Sequence, residues 1–200
     1  MRIGVFGGTF DPVHLGHLII AEQAREQARL DQVLFVPAAR PPHKLAQPTA
    51  PFTHRAEMLA LAVAGHPAFR VDELEKDRPG PSYTADTLAD LHARHSGAEL
   101  FLIIGSDCLP DVSGWHQPQR IFEMATLLVA VRPGWEVVSP APTAVAAPRI
   151  EKIDSPLIDI SSRDLRRRIA AGRTIRYLVP RAVEAYIAAH RLYQADRNVS

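Results

Sequence analysis

Residues 3–17, I-G-V-F-G-G-T-F-D-P-V-H-L-G-H, constrain this chain more than any other stretch. An apolar run (Ile3, Val5, Phe6) with the look of a strand buried on both faces enters the glycine pair Gly7 and Gly8, and a helical run begins near Leu15. A glycine-rich turn between strand and helix lets backbone N–H groups approach an anion at the helix N-terminus. His14 and His17 are three residues apart, so they fall on one face of the first helical turn. The stretch reads as a phosphate-handling loop with two imidazoles aimed at the phosphates.

The pattern that opens there continues. Strands are expected at 3–7, 32–37, 69–74, 99–105, 125–132 and 149–153, from short apolar runs bounded by turn residues. Helices are expected at 15–30, at 53–65 with Thr53 as cap, from a Ser82 cap to about residue 96, at 119–124, at 161–171 and at 180–192. The segment 38–51 is rich in proline and carries His43 and Lys44, and 134–148 shifts to Pro, Ala, Ser and Val without period; both read as loops. There is no internal repeat. Strands alternating with helices imply an α/β fold: a doubly wound, Rossmann-like parallel sheet with helices on both faces, over about 1–160, and a small C-terminal helical part, over about 161–200, in a single domain. Ligands of such sheets bind at the carboxyl ends of strands. The first loop and the turns at 105–107 and 132–134 all lie at such ends and should converge in one crevice.

Charge and cysteine content remove other classes. Lys plus Arg (23) balances Asp plus Glu (22), and no stripe alternates aromatic with basic residues, so neither nucleic acid nor an anionic membrane surface is expected as partner. A single cysteine, Cys108, leaves no intramolecular disulfide and no Cys-rich metal site. No uncharged stretch approaches the roughly 18–20 apolar residues of a membrane span, and Met1 and Arg2 lead directly into strand-like sequence. The expectation is a soluble, cytoplasmic protein, for which a homo-oligomer is compatible.

Taken singly, each residue of the first loop has a plain reading. Glycines serve any tight turn, and two histidines could be a metal pair, although no third ligand stands near, or ordinary surface residues. The joint pattern G-G-T-F-D-P-V-H-L-G-H resembles the signature of the nucleotidyltransferase superfamily with the H-x-G-H motif, whose members transfer nucleotidyl groups to nicotinate or nicotinamide mononucleotide, pantetheine phosphate or glycerol-type acceptors. The run I-S-S-R-D-L-R at 160–166 resembles that superfamily's I-S-S-T-x-x-R, with Arg163 in place of the usual Thr or Ser. Ser161 and Asp164 also form the S-x-x-D helix-capping pattern, which needs no function. Ser162 and Arg166, four apart, share a face on which a hydroxyl and a guanidinium can meet one polyphosphate. Arg167 and Arg168 read as a solvated face.

Further stretches resemble the bacterial nicotinate-nucleotide adenylyltransferases: F-V-P-A-A-R-P-P-H-K at 35–44, P-S-Y-T-A-D-T-L at 81–88, I-I-G-S-D at 103–107 with Trp115 following, and L-V-A-V-R-P-G at 128–134. The resemblance runs from residue 3 to about 166, and 178–193 continues it loosely. It implies ATP and nicotinate mononucleotide as substrates and magnesium with the ATP. It implies catalytic roles for His14, His17, Arg166 and Lys44. ATP would lie on Gly7, Gly8, Thr9, Phe10, Gly105, Asp107, Arg132, Ser161 and Ser162. The mononucleotide would meet Thr84, Tyr83, Trp115 and Lys44, with Trp115 stacked on the pyridine ring; no residue is assigned as a protein ligand of a metal. The plain alternatives stay open beside these: Trp115 as a half-buried core residue, Lys44 as a solvated lysine, Asp107 as the cap of a short turn. His43, His54 and His116 have weaker claims, and His66, His92, His95 and His190 read as surface residues. Another transferase of the superfamily, such as a pantetheine-phosphate adenylyltransferase, and a non-catalytic nucleotide sensor are the rival readings.

Overall fold

The computed structural model describes residues 1–41, 49–131, 148–156 and 158–195. Six strands form one sheet in the order β3-β2-β1-β4-β5-β6. They are β1 (Arg2–Gly8), β2 (Gln32–Pro37), β3 (Phe69–Val71), β4 (Glu99–Gly105), β5 (Ala125–Ala130) and β6 (Ile150–Ile153). Every neighbouring pair is parallel, with Val5 opposite both Leu34 and Leu102 at the centre. The helices are α1 (Leu15–Gln27), α2 (Phe52–Val63), α3 (Thr84–Arg94), α4 (Pro118–Met124), α5 (Ser162–Ala170) and α6 (Arg181–Ala189).

Alternate residues of each strand face opposite sides, so a sheet covered twice has two cores. On one side Phe6, Val33, Phe35, Ile103 and Leu128 pack under α1, α2, α5 and α6, which contribute Ala21, Ala24, Met58, Leu59, Leu165 and Val183. On the other, Val5, Leu34, Leu102, Ile104 and Leu127 pack under α3 and α4 through Leu88, Leu91, Ile121 and Phe122. The doubly wound α/β expectation therefore holds. β1 and β4 are adjacent, yet their crossovers leave in opposite directions, and a crevice must open where they part.

Element ends differ from expectation where local geometry competes with periodicity. α2 is preceded by Pro51 rather than capped by Thr53; the proline's extended conformation already starts the helix. α3 begins at Thr84, and Ser82 is no cap: its Oγ accepts from Arg40 N at 3.0 Å, tying the loop after β2 to the approach to α3. α1 ends at Gln27, short of residue 30, with Arg29 in the left-handed region (φ 49°). β3 is shorter than expected, β5 stops at Ala130, and residues 106–114 form a 3₁₀ helix (Ser106–Gly114) where the sequence reads as loop.

Candidate active site

The loop between β1 and α1 lies over the carboxyl end of the central strand. It turns through Phe10, whose φ is +48°, and a cis Asp11–Pro12 peptide. The left-handed backbone at a bulky residue is held by its ring, which is 2% exposed and packs edge-on to Phe6 with centroids 5.7 Å apart. Phe10 therefore offers a ligand its backbone, not its side chain. His14 closes the loop and α1 begins.

His14 and His17 stack, with ring centroids 3.7 Å apart and planes 25° from parallel. His14 N donates to His17 Nδ1 at 3.2 Å. In a neutral ring, that bond puts the His17 proton on Nε2, the orientation in which a phosphate oxygen can accept it. The glycine between the histidines has a steric reason: a Cβ at Gly16 would come within 3.1 Å of His14 Nδ1. The α1 N-terminus is less open than the sequence suggests. Leu15 N donates to Leu178 O at 3.0 Å and His17 N to His14 O at 3.0 Å. Leu15 N and His17 N are thereby engaged within the protein.

The start of α5 lies against the same loop. Ser161 is its N-cap, its Oγ accepting from Asp164 N at 3.1 Å, so the capping reading of the S-x-x-D pattern holds. Ser162 Oγ donates to Pro12 O at 2.8 Å, and Arg166 Nη1 to Asp11 O at 2.7 Å. The two far ends of the recognised pattern thus meet in space, joined to each other before any ligand arrives. Arg163 and Arg167 lie on the exposed side of the helix. Gly105 ends β4, the strand beside β1, and Asp107 follows it; a Cβ at Gly105 would come 2.4 Å from Asp107 Oδ1, so a larger residue there would displace the carboxylate. Lys44, Arg132 and His43 lie outside the described residues.

On the other side of the crevice is a cavity of about 480 Å³, lined by Gly7, Gly8 and Thr9 of the loop, Tyr83 and Thr84 at the start of α3, and Trp115 and His116 after the 3₁₀ helix. Trp115 is half-buried against the second core and also lines the cavity. Tyr83 and His116 stack, centroids 4.1 Å apart and planes 24° from parallel, which gives His116 a stronger place than its sequence context suggested. The cavity thus carries polar groups at the first loop and a flat aromatic wall opposite.

Sequence reasoning passed over the residues that hold these parts together. Arg55, on α2, is 1% exposed and donates to three carbonyls: Ala50 (2.9 Å), Thr9 (2.8 Å) and Ala38 (2.8 Å). Burial lowers its pKa from the ordinary value, opposed by the charge of Asp11. Asp11, 2% exposed, accepts from Ala50 N and from the Tyr193 hydroxyl. Glu75, 5% exposed, accepts from Thr87 Oγ1 and Ala39 N and so braces the cavity wall. Asp11 stands in the loop motif without an assigned role, and Arg55 and Glu75 stand in no motif; a charged residue inside an apolar helical stripe, as Arg55 is beside Ala56, Met58 and Leu59, was the available signal.

Comparison with known proteins agrees with this geometry. The model of the cytidylyltransferase-like family matches residues 5–168. A Thermomicrobium roseum protein named "Probable nicotinate-nucleotide adenylyltransferase" is 50% identical over 196 residues, covering 96% of this chain and 92% of its own. A Thermus thermophilus protein of the same name is 51% identical over 194 residues, 97% of this chain and 100% of its own. The fold matches that of Plasmodium falciparum nicotinic acid mononucleotide adenylyltransferase complexed with NaAD, at 17% identity and a TM-score of 0.79, over 96% of this chain and 97% of that one. Carrying the paired histidines, the distant Ser-Ser-Arg helix and this overall identity, the chain belongs to the cytidylyltransferase-like family, among the nicotinate-nucleotide adenylyltransferases.

Proposed function

We propose that this protein transfers the AMP moiety of ATP to nicotinate mononucleotide, giving nicotinate adenine dinucleotide and pyrophosphate, a step of pyridine nucleotide biosynthesis. The observation that carries the reading is the pairing, across one crevice, of a phosphate loop bearing stacked His14 and His17 with an aromatic-walled cavity. An oxygen of the mononucleotide's phosphate attacks the α-phosphorus of ATP in line. The bond from that phosphorus to the bridging oxygen breaks, and pyrophosphate leaves with the electron pair. No protein nucleophile is needed, so catalysis consists of positioning and of stabilising charge on the phosphoryl oxygens.

In this reading His14 and His17 donate to the α- and β-phosphate oxygens, and Arg166 with the Ser161–Ser162 helix start takes the β/γ end. Lys44 also reaches the phosphates. Gly7, Gly8, Thr9 and the Phe10 backbone line the phosphate track. Asp107, allowed its place by Gly105, accepts from a ribose hydroxyl, by the logic of acidic residues in dinucleotide sites, and Arg132 lies beside the adenosine. Thr84 and Tyr83 recognise the nicotinate end while Trp115 stacks on the ring. Magnesium bound with ATP would offset phosphate charge. Among the described residues no three His, Cys, Asp or Glu side chains gather in a set that could hold it, so the phosphates and water would supply most ligands. No helix among the described residues is long and apolar enough to cross a membrane; a cytoplasmic, single-domain enzyme is the setting we infer.

The test is a pyrophosphate-release assay with ATP and, side by side, nicotinate mononucleotide, nicotinamide mononucleotide and phosphopantetheine. Turnover is expected to be fastest with the nicotinate compound. Turnover of phosphopantetheine alone would overturn the assignment, and ATP binding without turnover of any acceptor would point to a nucleotide sensor.

A further inference from the structure

We propose that Tyr193, near the far end of the chain, is a positioning residue for the ATP half of the site, acting through Asp11 on Arg166. The inference rests on the transferase reading above, because it takes Arg166 as a ligand of the ATP phosphates. Tyr193 follows α6 and reaches 182 positions back along the chain: its hydroxyl donates to Asp11 Oδ1 at 2.7 Å. Ala50 N donates to the same oxygen at 3.2 Å. The other carboxylate oxygen, Oδ2, lies 3.6 Å from Arg166 Nη1, the nitrogen that also donates to the Asp11 carbonyl.

A carboxylate held weakly can rotate about its last torsion and turn its charge away from a partner. Two donors on Oδ1 fix the plane of Asp11, and with it the position of Oδ2 opposite the guanidinium. Arg166 is thereby anchored through a single nitrogen while its side chain remains 30% exposed. Neither Nε nor Nη2 hydrogen-bonds to another of the described residues, so both donors are available for a bidentate contact to phosphate. An Arg whose anchor is rigid loses less freedom when it binds a polyphosphate, and affinity gains by that preorganisation. Tyr193 suits the task. Its ring packs, partly buried, against the core that contains Phe6 and Phe35, and burial together with the Asp11 charge pushes its phenol well above the usual tyrosine range, so it remains a donor at working pH.

The same segment contains a comparison that separates positioning from anchorage. Tyr186, on α6, also spends its hydroxyl on a carboxylate, Glu57, and meets His54 Nδ1 at 2.7 Å. Those bonds tie α6 to α2 without touching the phosphate loop. If the C-terminal tyrosines served only to fasten the helix, their removal should have like consequences.

The experiment measures steady-state kinetics, with ATP and nicotinate mononucleotide varied in turn, and thermal unfolding, for the wild type, Tyr193→Phe, Tyr186→Phe, Asp11→Asn, Arg166→Lys and Tyr193→Phe/Arg166→Lys. Tyr193→Phe is expected to raise KM for ATP about tenfold, the size of one lost hydrogen bond to a charged group, with KM for the mononucleotide within about twofold of wild type. Asp11→Asn keeps an acceptor for Tyr193 but removes the charge opposite Arg166, and should raise the same KM. Tyr186→Phe should lower the unfolding temperature and leave both KM values in place. In the Arg166→Lys background, Tyr193→Phe should add less than about twofold, as expected of two residues acting in series. The proposal falls if Tyr193→Phe moves both KM values equally, if it changes stability alone, or if its full effect persists beside Arg166→Lys. Wild-type turnover separately decides the transferase reading; were no mononucleotide turned over, ATP affinity by calorimetry across the same variants would still decide the role of Tyr193.

Discussion

Arg55 makes the sharpest test of how this site is held together. Replacing it with methionine keeps much of the volume and removes three hydrogen bonds, to Thr9 O, Ala38 O and Ala50 O. A hydrogen bond to a charged group contributes about 1.5 kcal/mol at the low end of its range, so the three together amount to about 4–5 kcal/mol. Relief of the buried charge returns part of this, since a guanidinium at 1% exposure is held out of water at a cost. The net expectation is a loss on the order of 2–4 kcal/mol. For a chain of this length each kcal/mol moves the midpoint by roughly 2–4 °C, so thermal unfolding followed by circular dichroism should drop by about 5–15 °C. Arg55→Lys keeps the charge but lacks the planar fork that spans three carbonyls, and should lie between wild type and Arg55→Met. Because Thr9 and Ala38 both line the cavity, KM for the mononucleotide should rise in parallel. An Arg55→Met protein within about 0.5 kcal/mol of wild type, a shift typical of plain surface substitutions, would refute the account of Arg55 as the tie between the first loop and the connection from β2 to α2.

Three further outcomes follow from the site. Gly16→Ala places a Cβ 3.1 Å from His14 Nδ1 and should lower kcat at least tenfold while the unfolding temperature changes little, since alanine favours the helix; an unchanged kcat would show that the His14 ring has room to move. His17→Ala should cost on the order of 10²–10³ in pyrophosphate release, and near-normal turnover would dismiss the histidine pair as phosphate donors. Trp115→Ala should raise KM for nicotinate mononucleotide about tenfold, from lost stacking and apolar contact, with KM for ATP unchanged; equal movement of both would assign Trp115 to the core alone.

Among the described residues, sequence pattern located each strand and α-helix, most firmly where the run is long or apolar, as in β1, β4 and α2, and least so for the short β3 and β6. β2 and β4 were legible to the residue, since their side chains are buried on both sides of the sheet and nothing polar interrupts the run. What periodicity missed was decided locally. Thr53 has the chemistry of a cap, but Pro51 stands before it and sets the backbone. Ser82 has the same chemistry, yet its oxygen is taken by Arg40 N across a gap of 42 positions. The 3₁₀ helix at 106–114 contains Pro110 and ends at Gly114, residues that read as loop in any window of sequence.

For the site, the division falls between residues that act through spacing and residues that act through partners. The sequence alone determined the glycine loop, the histidine pair and the Ser162/Arg166 face, because the histidines lie one helical turn apart, as do Ser162 and Arg166, and local geometry then places each pair on a single face. It also determined the doubly wound sheet, since strands that alternate with helices have few other ways to bury both faces. Only the tertiary structure decided that the two motifs meet, with Arg166 donating to Asp11 across 155 positions, and that Tyr83, His116 and Trp115 share a cavity with Gly7 and Gly8. It alone identified Arg55, Asp11 and Glu75 as interior and brought the partly buried Tyr193 to Asp11. A charged side chain is driven to the surface unless specific partners satisfy it, and those partners are brought within bonding distance by the crossover of parallel strands, not by neighbourhood in the chain.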